Sequence, residues 1–276
     1  NSQVMYQYTF QDNSSGNPDL WLWEFGDGYI SHDQNPVHIF QGPGTYEVCL
    51  DTWNSNFPGC TDSHCMLVKT AEYYQLGGLA FIGDNPINNP VSTGDTGIAI
   101  IYRQRNDNSM LAVDTTSFHD LGYYWFSNMM EMGYLMKISL TKGSVNYPDY
   151  IPSYYPGTMH WQDADKIVLS ADMYEMNTDL IHAEGVGSGP GLIRGQLVNE
   201  NRYGSESHHA FEQVTVILTD LQNTPLAWTA TNSFGQFVFE NISLGSYLLH
   251  ADIAGMWARI EPVTLTTGFA IHDSVR

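Results

Sequence analysis

Three kinds of side chain in this sequence have the types and spacing to carry chemistry: a trio of thiols, a run of aromatics and a scatter of histidines and carboxylates. The only cysteines are Cys49, Cys60 and Cys65. Zinc would need a Cys-x-x-Cys or Cys/His spacing, and neither is present. If residues 46–53 and 61–69 pair as a hairpin around 54–59, Cys49 and Cys65 lie opposite each other on the face away from Val48 and Leu50. That register predicts a cross-strand disulfide with Cys60 left near the turn; a Cys60–Cys65 bridge and three reduced thiols are the alternatives. A bridge implies an oxidising compartment.

The aromatic run is Tyr147-Pro148-Asp149-Tyr150-Ile151-Pro152-Ser153-Tyr154-Tyr155-Pro156-Gly157-Thr158-Met159-His160-Trp161. Held by prolines, Tyr150, Tyr154, Tyr155 and Trp161 could form a flat platform on which sugar rings stack; otherwise they pack a long loop onto a sheet edge. The acid–base inventory points away from catalysis, and no catalytic residue is nominated. No His-Glu-x-x-His, Gly-x-Ser-x-Gly or phosphate-loop motif occurs. Asp163 and Asp165 are too ordinary in an acidic chain to be nominated as acid and base. The neighbours His208 and His209 would point to opposite faces of a strand, which disfavours a shared metal. Gly185 to Gly191 has no helix after it and reads as an interdomain linker rather than a phosphate cradle.

The elements that must position these groups are strands. Turn signals recur about every ten residues, and no stretch holds the 3.6-residue period through three turns. At 276 residues with 42% hydrophobic content, two or three domains can each bury a core. Thirty acidic against ten basic residues give a formal charge of -20. That balance excludes nucleic acid as a partner, because its phosphates would be repelled. The acidic excess is compatible with calcium, though no residues can be assigned to it, and no other cofactor is expected. There is no apolar run of membrane-spanning length and no signal-peptide pattern at Asn1. A chain that opens without an initiator Met is expected to be a mature or excised fragment of something longer.

The first seventy residues are the most explicit. Trp21, Trp23 and Phe25 alternate on one strand face and stop at Gly26-Asp27-Gly28, where glycines allow the positive φ of a tight turn. Asn35-Pro36-Val37-His38-Ile39-Phe40 follows, then a Gly42-Pro43-Gly44 turn and a strand in which Tyr46, Val48 and Leu50 alternate with Glu47, Cys49 and Asp51. This combination closely resembles the PKD domain, an immunoglobulin-like β-sandwich of extracellular proteins marked by W-x-F-G-D-G, N-P-x-H-x-F and G-x-Y-x-V. The resemblance implies a spacer or interaction module. It also implies that His38 packs against the core and is not a ligand.

Beyond residue 70 the sequence repeats itself. Gly122-Tyr123-Tyr124-Trp125-Phe126-Ser127-Asn128, followed by Gly133-Tyr134, recurs as Gly235-Gln236-Phe237-Val238-Phe239-Glu240-Asn241, followed by Gly245-Ser246-Tyr247. Gly191 to Leu197 and Val214 to Leu218 match the opening strands of the first copy, so two domains of one type are expected. In each copy the Gly starts a strand, the two aromatics point inward and the Asn side chain is expected to tie the next turn to backbone. The unit resembles the carboxypeptidase regulatory-like, or transthyretin-like, β-sandwich. Thr231-Asn232 and Thr116-Ser117 stand where family members usually have Thr-Asp, which weakens any bound-ion reading. The last domain contains no Lys, so it cannot form the internal Lys-to-Asn crosslink of related adhesin sandwiches.

The Pro-Ser-Tyr-Tyr and Trp-x-x-Ala pieces of the aromatic run resemble a segment of secreted multidomain proteins of Bacteroidota-type bacteria, found beside PKD domains and a type IX secretion signal. In that setting Asp114-Thr115-Thr116 and Asp273-Ser274-Val275 fit the O-glycosylation pattern, making Thr115 and Ser274 the acceptors. The sequence therefore predicts an all-β chain of three tandem Ig-like/transthyretin-like β-sandwich domains, over 1–70, 71–187 and 188–276. Its expected role is that of a non-catalytic structural or adhesive module of a secreted or surface protein, one that forms filaments by strand addition to copies of itself or to neighbouring modules. The alternative is a glycan-binding accessory region of a secreted polysaccharide-active enzyme.

Overall fold

The computed structural model describes residues 6–88, 94–105, 108–118, 120–197 and 211–275, without the side chains of residues 58, 120 and 273–275. The described residues form strands joined by turns, with short 3-10 turns at Asp120–Gly122 and Trp161–Asp163 and no α-helix. The chain divides into two compact units, Asn1–Tyr74 with Asn128–Glu131, and Gln75–Ser127 with Met132–Arg276.

In the first unit the strands are β1 (Gln7–Thr9), β2 (Leu20–Glu24), β3 (Ile30–Ser31), β4 (Val37–Ile39), β5 (Thr45–Asn54) and β6 (Phe57–Lys69). β1 pairs with β4, and the other four form a sheet in the order β3-β2-β5-β6. Side chains from both sheets meet in one core of Phe10, Trp23, Phe25, Phe40, Val48 and Val68. The alternation that buries Trp23 and Phe25 also carries the chain into Gly26 at φ +75° and Gly28 at φ +91°. A Cβ on Gly26 would sit 2.6 Å from the Glu47 carbonyl oxygen, so this corner requires glycine on two counts. His38 stacks on Phe25 with ring centroids 4.0 Å apart, and its Nε2 lies 2.8 Å from Asp27 Oδ2. The histidine thus ties the second motif to the turn of the first.

The β5–β6 ladder places Cys49 directly opposite Cys65, and the two form a disulfide. Cys60 is exposed and free.

Both copies of the repeat lie in the second unit, except that the strand residues Tyr73, Tyr74 and Asn128 to Met130 of the first copy are grouped with the first unit. The first copy comprises β7 (Tyr73–Ile82), β8 (Asn85–Pro86), β9 (Gly97–Gln104), β10 (Met110–Phe118), β11 (Tyr123–Met130), β12 (Met132–Leu140), β13 (Tyr150–Ile151), β14 (Ser153–Tyr154), β15 (Ile167–Leu169) and β16 (Thr178–His182). The second comprises β17 (Ser188–Gln196), β18 (Thr215–Thr219), β19 (Pro225–Ala230), β20 (Gln236–Ile242), β21 (Gly245–Asp252), β22 (Glu261–Leu265) and β23 (Ile271–Val275). The sheet orders correspond: β10-β9-β12-β14 with β19-β18-β21-β22, and β11-β7-β16 with β20-β17-β23. In each copy the last strand runs parallel to the first, β16 to β7 and β23 to β17.

The repeat's backbone matches too. Gly122 and Gly235 have φ of +67° and +73°, while Asn128 and Asn241 have φ of +55° and +59°. Asparagine tolerates the left-handed region better than other side-chain-bearing residues, so backbone conformation is the physical reason for this Asn, rather than a side-chain tie. The paired aromatics do point inward: Tyr124, Phe126, Phe237 and Phe239 are all buried. Asn232 Oδ1 accepts hydrogen bonds from the Phe234 and Gln236 amides, both at 2.9 Å, and so shapes the turn ahead of β20.

The glycine-rich stretch expected to be a linker is partly strand, because β17 begins at Ser188. A Cβ on Gly189 or Gly191 would meet the Ile242 carbonyl at 2.6 Å, so these glycines allow β17 to approach β20 and do not confer slack. Just ahead of it, the Glu184 and Gly185 amides donate to Pro225 and Leu226 carbonyls.

Candidate functional site

An antiparallel sheet usually keeps one face wet, so its strands alternate buried and exposed residues. Two strands of the second unit break that rule. All five residues of β18 are buried, and Tyr134 to Ile138 of β12 form an unbroken buried run. The cause is a seam between the two copies. Val216 and Leu218 face inward to the core containing Ile193, Phe237 and Phe239. Their neighbour Ile217 faces the other way and packs with Ile151, Ala183 and Trp228. Trp228 closes this second core by donating its indole N–H to the Pro148 carbonyl at 2.8 Å.

A polar cluster is set into the same seam. Lys137 Nζ lies 2.7 Å from Asp252 Oδ2 and 3.1 Å from Thr215 Oγ1, and the Tyr154 hydroxyl donates to the same Asp252 oxygen at 2.9 Å. Lys137 Nζ also sits 4.9 Å from the centroid of the Tyr154 ring. Burial, reinforced by the Asp252 charge, pushes the Tyr154 phenol far above its ordinary range and Tyr102 up to about 12. Both remain protonated donors across the range in which proteins fold. The other oxygen of this carboxylate, Asp252 Oδ1, is buried and has no hydrogen-bond partner among the described residues.

The four residues of the expected sugar platform do not share a face. Tyr154 is 0% exposed and belongs to the seam, because β14 turns its ring into the protein. It is therefore removed from any surface platform. Half-buried Tyr150 packs edge-on against His182, with centroids 5.2 Å apart. Half-buried Tyr155 donates its backbone N–H to the Met136 carbonyl at 3.0 Å. Trp161 heads a different way: its indole N–H donates to the Met256 carbonyl at 3.0 Å, and its ring meets Trp257 at 65° with centroids 5.8 Å apart.

Trp257, which sequence reasoning missed, is 81% exposed. It overhangs a crevice of about 320 Å³ lined by His160, Gln162, Asp163, His250 and Asp252 among others. The His160 and His250 rings are 5.2 Å apart. Burial, with His160 beside it, pushes His250 down to about 4, and its Nε2 shares a 3.1 Å hydrogen bond with Thr219 Oγ1. The available signal for Trp257 was an isolated tryptophan in a Gly-bearing loop after a strand, Ala254-Gly255-Met256-Trp257-Ala258.

Among the remaining candidates, Thr115 is exposed on β10, beside a bulge between Ala112 and Asp114. The side chain of Ser274 and the pair His208-His209 lie outside the described residues. Among the described residues, no group of three or more His, Cys, Asp or Glu side chains converges as a metal ion would require. Among the described residues, no helix is long and apolar enough to cross a membrane.

Fold and site together define a tandem β-sandwich protein with a disulfide-bridged first module. The family model for the PKD domain matches residues 1–68. No curated protein matches the chain. Among solved structures, the Bacillus anthracis TIE protein is similar over 98% of this chain and 51% of its own, with 9% identity and a TM-score of 0.28. The chain thus spans about half the length of that protein. A streptococcal ancillary pilin is similar over 98% of this chain and 99% of its own, with 9% identity and a TM-score of 0.27. BcpA, the major pilin subunit of Bacillus cereus, is similar over 98% of each, with 9% identity and a TM-score of 0.26. The sheets themselves, rather than these likenesses, define the architecture.

Proposed function

We propose that this chain is a non-catalytic structural and adhesive segment of a secreted or surface-exposed protein, acting through contact between modules. The observation that carries this reading is the seam. Two sandwiches that share a hydrophobic layer and a buried ion pair form one body, and such a body transmits load instead of hinging. A PKD match over the first 68 residues and a disulfide in that module support an extracellular setting. On this reading the repeated sandwiches are carboxypeptidase regulatory-like modules of a Bacteroidota-type protein exported by type IX secretion, and Thr115 is a glycan acceptor. Chains associate along a fibre by adding strands to exposed sheet edges such as β6, where Phe57, Met66 and Leu67 are exposed.

The test is light scattering over a hundredfold concentration range, paired with negative-stain electron microscopy. Ordered polymers that grow with concentration, and that shrink when Leu67 is replaced by Lys, are the expected result. A monomer at every concentration would remove the filament-forming part of the reading.

A further inference from the structure

The structure assigns a second role to the crevice beneath Trp257: we propose that it binds a neutral saccharide. This goes beyond the structural reading, since filaments form or fail to form whatever the crevice holds.

A tryptophan side chain that presents 81% of its surface to water forgoes the burial that ordinarily accounts for its presence. Trp257 is nevertheless not loose. Trp161 braces its ring at 65° and fixes its loop through the 3.0 Å bond to the Met256 carbonyl. A rigid, exposed aromatic face therefore stands over a cavity whose volume falls at the low end of the roughly 300–1,000 Å³ typical of small-molecule sites.

The second observation is the polar lining below it: His160 and Gln162 can each donate and accept, and Asp163 accepts, a mixed set that suits adjacent hydroxyls. An acidic sugar is disfavoured by Asp163, by Asp252 and by the net charge of -20. A ligand with an apolar C–H face for the indole and a hydroxyl edge for the crevice is a neutral pyranose.

The experiment uses the full 276-residue chain in saturation-transfer NMR and calorimetric titration. The probes are neutral gluco-, galacto-, manno- and N-acetylhexosamine oligosaccharides, with an oligouronate and a lysine-rich peptide as charged comparisons. Binding to at least one neutral probe and to neither charged one is expected. Trp257→Ala, at an exposed position, should weaken that binding by about tenfold or more, while Trp257→Phe keeps a ring face and most of the affinity. The proposal is overturned if no neutral probe receives saturation, if a charged probe binds as well as the neutral one, or if Trp257→Ala, shown folded by circular dichroism, binds like the parent chain.

Discussion

Replacing Lys137 by Ala isolates the seam more sharply than any other single change. The Lys137 and Asp252 side chains are 11% and 1% exposed, so removal of the ammonium leaves a carboxylate in the interior with only the Tyr154 hydroxyl to satisfy it. Stranding one member of a buried pair costs about 3–5 kcal/mol, far more than the pair contributes relative to an apolar substitute. For a cooperative body the size of the second unit, each kcal/mol moves the midpoint by roughly 2–4 °C, so Lys137→Ala should lower that unit's melting temperature by roughly 6–20 °C. Differential scanning calorimetry reads this directly. The second arm is the double variant Lys137→Met with Asp252→Leu, which removes both charges and should recover most of the loss. A Lys137→Ala midpoint within about 2 °C of the parent would show that Asp252 finds another partner or water. A double variant as unstable as the single one would show that apolar packing, and not the stranded charge, sets the cost. Either result refutes the reasoning.

Three other outcomes follow from the described geometry. Replacing Cys49 and Cys65 by Ala opens a loop closed over a sequence separation of 16, and should cost the first unit about 3 kcal/mol in denaturant titration; the parent chain should show one reactive thiol, Cys60. Gly26→Ala places a side chain at φ +75° against the Glu47 carbonyl and should cost about 2 kcal/mol or more, with Gly28→Ala milder because its Cβ would meet open space. His250 binds its proton only near pH 4 when folded but near 6.5 when unfolded, so the unfolded state takes up more protons in between; stability is full above about 6.5 and falls as the pH drops toward 4, by up to about 3 kcal/mol. Unfolding free energies of the parent and His250→Gln at pH 7 and pH 4.5 check this, and a parent value equal at both would contradict it.

The legible part of the fold was the part written in short-range terms. Trp23, Phe25, Phe40 and Val48 alternate or sit beside obligate turn residues, so their burial follows from period and glycine placement. The Cys49–Cys65 bridge followed from counting along two strands about one turn. The repeated Gly and Asn positions could be recognised because one backbone requirement selects the same residue twice. What stayed hidden was long-range. Nothing local to Lys137 announces Asp252, 115 residues away. The seam's one trace was a lysine inside a buried apolar run, Tyr134-Leu135-Met136-Lys137-Ile138. Composition marks the aromatic run but leaves open whether its rings face water or pack inward, because it does not say which way β14 turns Tyr154. Trp257 leaves no such trace in the sequence, because a single exposed ring has no period.

The doubly covered strand β18 also decides how these modules can be borrowed. A cut at Ser188, where the repeat would suggest a natural border, would bare Ile217 and Trp228 and leave Asp252 without its lysine. The carboxy-terminal sandwich is therefore not a portable part: transplanted alone into a fusion, it would carry a greasy flank in search of a substitute mate.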